Sequence, residues 1–114
     1  MGERGERLTL SYLKRNGFKI LETNWRDIHT EIDIIAVKKK ELHIIEVKSR
    51  TTESWEAIGA SLTSQKIRAL RRGSIRYITK NPKYTDYTII FDVAALFFDS
   101  EMKHKIEFVE DVRF

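Results

Sequence analysis

Two apolar runs, Ile32–Val37 and Leu42–Val47, flank the polar stretch Lys38-Lys39-Lys40-Glu41, and each run is broken by charge. The segment "EIDIIAVKKKELHIIEVKSR", from Glu31 to Arg50, reads as two strands joined by a hairpin. Side chains in a strand alternate between faces, so Glu31, Asp33, Ile35 and Val37 share one face of the first strand, and Leu42, Ile44, Glu46 and Lys48 share one face of the second. A turn on Lys39 and Lys40, or a longer loop from Lys38 to Glu41, gives the same register: Asp33 opposite Glu46, and Glu31 opposite Lys48. Opposed carboxylates lie about 4.5 to 5.5 Å apart at Cβ and repel unless something neutralises them.

The rest of the pattern surrounds this hairpin. Residues Glu3 to Asn16 read as a helix stopped by Gly17, and "FKILETNWR" reads as a strand. "SRTTESWEAIGAS" reads as a loop. A second helix follows, with Ile67, Leu70, Ser74 and Ile78 on its packing side, and "YTIIFDVAALFF" and "HKIEFVEDV" close the chain as strands. The order is helix, three strands, helix, one or two strands. That predicts an α/β fold with a mixed central sheet flanked by helices.

Composition narrows the possibilities. A chain of 114 residues at 41% hydrophobic content buries one modest core, so a single domain over residues 1–114 is expected. No run approaches the roughly 20 apolar residues needed to span a bilayer, and the start "MGERGERLTL" is charged where a signal peptide is apolar. A soluble cytoplasmic protein without a membrane partner is the expectation. With no cysteine, any bound metal must be held by oxygen or imidazole ligands, and three scattered histidines argue against a zinc site.

Charge is unevenly placed. The net charge is +4, yet Ala57 to Thr85 contains no Asp or Glu while holding Lys66, Arg68, Arg71, Arg72, Arg76, Lys80 and Lys83. Arg68, Arg72 and Arg76 recur every fourth residue on one side of the second helix, which suits either a solvated face or contact with a polyanion. Because a merely soluble helix interleaves both signs, the missing acids favour a binding face.

Two readings also stand for the acidic residues. In one, Glu31 pairs with Lys48 while Asp33 and Glu46 face solvent. In the other, Asp33 and Glu46 share a divalent cation. An oxygen-only pair that leaves sites to water selects magnesium, or manganese, over calcium. Lys48 tips the choice: it lies two residues past Glu46 on the same face, within a strand of Ile44, Ile45 and Val47, where an ammonium can act on a metal-bound water or a phosphate. Glu6, near the start of the first helix and at the edge of its apolar face, is either a charge favoured by the helix dipole or a further member of the site.

Asp33 followed by Glu46-Val47-Lys48 resembles the active-site motif of the PD-(D/E)XK nuclease superfamily, whose core has the order αβββαβ. Over nearly the whole chain, Gly5-Glu6, Tyr12-Leu13, Gly17, Ile20-Leu21, Asn24, Arg26, Glu31-Ile32-Asp33, Glu46-Val47-Lys48, Arg50 and "FDV" resemble the YraN-like family of endonuclease-like proteins, related in fold to Holliday junction resolvases. Thr30 stands where that family usually has Gly, and Thr9 where it has Ala. The resemblance implies a restriction-endonuclease-like core and metal-dependent cleavage of DNA. Asp33, Glu46 and the Val47 carbonyl would hold Mg2+ or Mn2+, with Lys48 as catalytic lysine and Glu6 completing the acidic cluster or serving a second ion. Gln65 and Lys66 resemble the accessory phosphate-binding motif, beside Arg68, Arg71, Arg72 and Arg76. Glu31 and Arg50 are accessory positions. Resolvase-like relatives act as dimers on branched DNA, so structure-selective recognition by a homodimer is the implied logic. The alternatives are a nucleic-acid-binding module without turnover and a small assembly protein pairing through Ile89–Phe98 across a dimer.

Overall fold

The computed structural model describes residues 2–51 and 54–112. Helix α1 spans Gly2–Arg15, and strands β1, β2 and β3 span Lys19–Arg26, Glu31–Lys38 and Glu41–Arg50. A short helix α2 (Trp55–Ser61) and the longer α3 (Ser64–Lys80) follow, then a 3-10 turn at Pro82–Tyr84 and strands β4 (Thr88–Phe98) and β5 (His104–Val109). The five strands form one sheet in chain order; neighbouring pairs are antiparallel except β3 and β4, which run parallel. A parallel pair needs a long crossover, and α2 with α3 supplies it. The expected αβββαβ order is present, and the architecture is compatible with a restriction-endonuclease-like core. Among the described residues, no helix is long and apolar enough to cross a membrane.

Local chemistry fixes the ends of these elements. Gly17 adopts φ +86° after α1, and the N–H groups of Gly17 and Phe18 close back onto the carbonyls of Lys14 and Leu13. This paired closure is the helix stop that glycine permits at low cost. Thr63 caps α3 by accepting the Lys66 N–H at 3.1 Å. The hairpin turns on Lys39 and Lys40, with Lys39 at φ +57°, so the shorter of the two expected loops is the one formed.

Strand alternation sorts the core into two layers. Leu13 and Phe18 pack with Ile34, Ala36, Ile45 and Ala94 on the α1 side. Ile67, Leu70 and Tyr77 pack with Ile35, Leu42 and Ile44 on the α3 side, and Ile58 of α2 extends that layer over Val93, Ala95 and Phe97. Three strands thus carry apolar side chains on both faces, as a sheet covered by helices on both sides requires.

Two expectations need correction. The segment read as a loop after β3 contains α2, hidden from periodicity because Ile58 is its one buried residue; Thr52 and Glu53 of that segment lie outside the described residues. The run Ile89–Phe98 is not open to pairing across a dimer over its whole length, because from Val93 to Phe97 β4 is hydrogen-bonded to β3 on one side and β5 on the other.

Candidate active site

The site arises where two strands part. β2 and β3 are paired from Lys38–Glu41 to Ile34–Ile45, in the register expected for the hairpin. Beyond that point β2 remains paired with β1 through Ile32 and Glu31, whereas β3 remains paired with β4 through Arg50. The fork opens at Asp33 and Glu46. At its apex the Val47 N–H donates to Asp33 Oδ2 at 2.8 Å, so the carboxylate takes a donor that a continuing ladder would have used. Glu31 lies past the fork and is not opposite Lys48; it forms an exposed ion pair with Arg26 at 3.3 Å instead. The expected cross-strand pair is corrected for that reason: the ladder ends before reaching it.

Asp33 and Glu46 meet on one face of the sheet. Burial, together with the facing Glu46 carboxylate, pushes Asp33 up to about 7, although the Val47 N–H and Lys66 pull the other way. Glu46 is 5% exposed. Lys48 Nζ lies 3.6 Å from Glu46 Oε2, and Lys66 Nζ lies 2.5 Å from the same atom. Lys66 is therefore the nearer of the two ammonium groups that neutralise Glu46. Burial pulls Lys48 below the ordinary lysine range, with Glu46 opposing. Lys66 goes the other way: burial would lower it, but Glu46 prevails and raises it.

Asp33, Val47, Lys48 and Arg50 line a cleft of about 590 Å³ with Glu6 and Asn24. Glu6 is held there by Asn24, whose side-chain amide donates to Glu6 Oε1 at 2.8 Å. Asn24 lies between Thr23 and Trp25, which pair with Ile34 and Ile32, and so stands beside Asp33. It adopts φ +51°, a conformation that asparagine tolerates better than most residues. Helix α1 can bring Glu6 this close because residue 5 is glycine. A Cβ there would stand 2.2 Å from Ser49 Oγ on β3. Among the described residues, no three His, Cys, Asp or Glu side chains converge as a metal-holding group, so Glu6 stands off from the Asp33–Glu46 pair.

Helix α3 divides the predicted basic residues. Lys66 turns to Glu46, whereas Arg68, Arg71 and Arg72 are exposed. Gln65 and Arg72 border a second hollow of about 430 Å³ with His29 and Thr30. Arg76 is engaged inside the protein: its guanidinium binds Asp27 through Nε and reaches Thr30 Oγ1 at 3.1 Å, tying α3 to the β1–β2 turn. The guanidinium beside Asp27 holds that carboxyl far below the usual range. Thr30 also donates to the Ala69 carbonyl at 3.2 Å, a tether that glycine at this position could not make.

Similarity to known proteins places the chain in a family. Residues 5–96, which include the fork, the cleft residues and most of β4, match the model of uncharacterised protein family UPF0102. The chain belongs to the UPF0102 family. It is 36% identical to a UPF0102 protein of Flavobacterium psychrophilum over 97% of this chain and 91% of that one. A UPF0102 protein of Thermodesulfovibrio yellowstonii is 36% identical over 100% and 96%, and one of Clostridium perfringens 36% over 97% and 91%. The YraN-like resemblance is thus family membership across most of the chain.

Several residues of this UPF0102 site do not stand out in the sequence pattern. Asn24 has one local signal, a polar residue within a strand, but its bond to Glu6 joins positions far apart in sequence. Ser49 is the small residue against which Gly5 packs, and its hydroxyl is buried without a hydrogen bond among the described residues. Asp27 and Thr30 look like ordinary turn residues, yet they fix Arg76.

Proposed function

We propose that this UPF0102 protein is a divalent-metal-dependent endonuclease that hydrolyses phosphodiester bonds in DNA, with branched or otherwise structured DNA as its substrate. One observation carries the reading: two carboxylates, the half-buried Asp33 and the buried Glu46, meet at a strand fork, with Asp33 and Lys48 lining an open cleft. Such a pair is costly unless it serves a cation. The donor set fits magnesium or manganese, because two oxygen anions and the Val47 carbonyl leave the other positions to water. When bound, the ion supplies Lewis-acid polarisation of a phosphate oxygen and lowers the pKa of a water.

The chain's own residues do the rest. Lys48 Nζ, beside Glu46 and lining the cleft, orients the attacking water. Glu6, held by Asn24, takes part from the cleft mouth through the water shell of the site rather than as a direct partner of Asp33. Arg68, Arg71 and Arg72, with Gln65, hold phosphates flanking the scissile one, which orients the substrate without reading its bases. Preference for DNA shape would then come from the spacing of these groups, and a homodimer would present two such clefts to a junction.

A binding module without turnover is the second reading, favoured by Lys66, which already neutralises Glu46 with no cation needed. Duplex, flapped and four-way DNAs incubated with rising Mg2+ or Mn2+ separate the two. The nuclease reading expects cleavage of at least one substrate, lost by Asp33→Asn and Glu46→Gln, and reduced roughly 10²-fold or more by Lys48→Ala while metal affinity persists. Retention of all these DNAs with no metal-stimulated cleavage of any would give the answer to the binding module.

A further inference from the structure

Lys66 is an odd residue to find where it is. It belongs to the first turn of α3, where the aligned peptide dipoles favour acidic side chains, yet that turn contains no acid. A cation there gains nothing from its own helix. Its partner is across the domain: Nζ lies 2.5 Å from Glu46 Oε2, closer than Lys48 Nζ at 3.6 Å. The two lysines also differ in their freedom to leave. The Lys66 side chain is 40% exposed and can rehydrate its ammonium by a change of rotamer, whereas the Lys48 side chain is 15% exposed.

Charge balance gives this arrangement a consequence. Once Asp33 has released its proton, Asp33 and Glu46 offer two negative charges, and the Lys48 and Lys66 ammonium groups match them. A divalent cation added to the intact cluster would leave it strongly positive in a half-buried place, where like charges in contact are costly. Either a cation must leave or an anion must arrive.

We propose that Lys66 is the built-in counter-ion of the acidic pair, displaced from Glu46 when a divalent cation binds and thereby released to engage a phosphodiester oxygen of the substrate. This rests on the metal-dependent reading above and adds an order of events: the ion first, then the lysine freed for the phosphate. Before the ion arrives, Lys66 keeps Glu46 folded inward without a bare buried charge. After it arrives, the same ammonium is presented from the edge of the exposed arginine surface of α3.

Two measurements test this, one needing no substitution. Lysine acylation of the wild type, read by peptide mass spectrometry, should label Lys66 several-fold faster with saturating Mg2+ than without it, while exposed Lys80 is indifferent. In Glu46→Gln, Lys66 should label fast with or without magnesium. Calorimetry with Mn2+ alone should show Lys66→Met binding tighter than wild type by about tenfold or more, the scale expected on removing a close like charge. If wild type binds Mn2+ but Lys66→Met binds no tighter, and labelling of Lys66 ignores magnesium, the counter-ion role is overturned and the metal site stands. If neither protein binds Mn2+, both readings fall together.

Discussion

At the scale of single residues, the carboxyl of Asp33 links the site to stability. Its ordinary value is near 3.8, and in the folded protein burial and Glu46 raise it to about 7. Between those values the folded state binds the proton that the unfolded state has released, so stability falls as pH rises from about 4 through 7. Asp33→Asn removes this dependence while keeping an oxygen to accept the Val47 N–H. The melting temperature of the variant should therefore match wild type near pH 4 and exceed it at pH 8. Added Mg2+ should narrow the gap at pH 8 by raising wild type alone. Equal pH profiles for the two proteins would mean that Asp33 is not held beside a second carboxylate. The sequence discloses this pair, because two acids placed symmetrically about Lys39-Lys40 have one simple register. It does not disclose that the ladder stops at Ile34–Ile45, since nothing in the local pattern of Glu31 or Lys48 reports the loss of a partner strand.

At the scale of elements, α3 shows how a one-dimensional pattern misleads. Arg68, Arg72 and Arg76 repeat every fourth residue and read as one stripe, yet Arg68 and Arg72 are exposed while Arg76 is bound to Asp27 and Thr30. The periodicity is correct; what it omits is the β1–β2 turn that comes to meet the last member. Lys66 groups with the phosphate-binding residues in the sequence for the same reason, and its approach to Glu46 joins a helix start to a strand twenty residues earlier. The two kinds of arginine should part under substitution. Arg68, Arg71 and Arg72 changed together to Gln should leave the melting temperature close to wild type and lower the salt slope of DNA binding by about 0.9 for each phosphate no longer neutralised. Arg76→Gln should do the reverse, with a lower melting temperature and little change in slope. Identical salt slopes for the triple variant and wild type would make the exposed arginines a solvated surface and nothing more.

At the scale of the whole molecule, the centre of the sheet is joined by a buried charge pair separate from that of Asp33 and Glu46. His43 Nδ1 on β3 lies 2.5 Å from Asp92 Oδ2 on β4, with side chains 3% and 0% exposed. Asp92 Oδ1 also accepts the Asp111 N–H at 2.9 Å, drawing the end of the described chain onto the sheet. The Phe18 ring packs edge-on against His43 from the α1 side, with ring centroids 4.8 Å apart. Burial alone would lower the His43 pKa, but Asp92 and Glu41 prevail and raise it above the ordinary histidine value. A raised histidine contributes stability that is complete below about pH 6.5, its unfolded value, and is lost as pH rises through the folded value. Wild-type stability should therefore decline on the alkaline side of neutrality, a trend distinct from that of Asp33 because it survives in Asp33→Asn. His43→Leu should abolish it and cost about 3 to 5 kcal/mol in denaturant unfolding, since it leaves the Asp92 carboxylate buried without its cation. Adding Asp92→Asn to His43→Leu removes the stranded charge, keeps an acceptor for Asp111, and should recover more than half of the loss. If the double variant is as unstable as the sum of the two single ones, His43 and Asp92 act as independent packing groups and the sheet is not held by their charge.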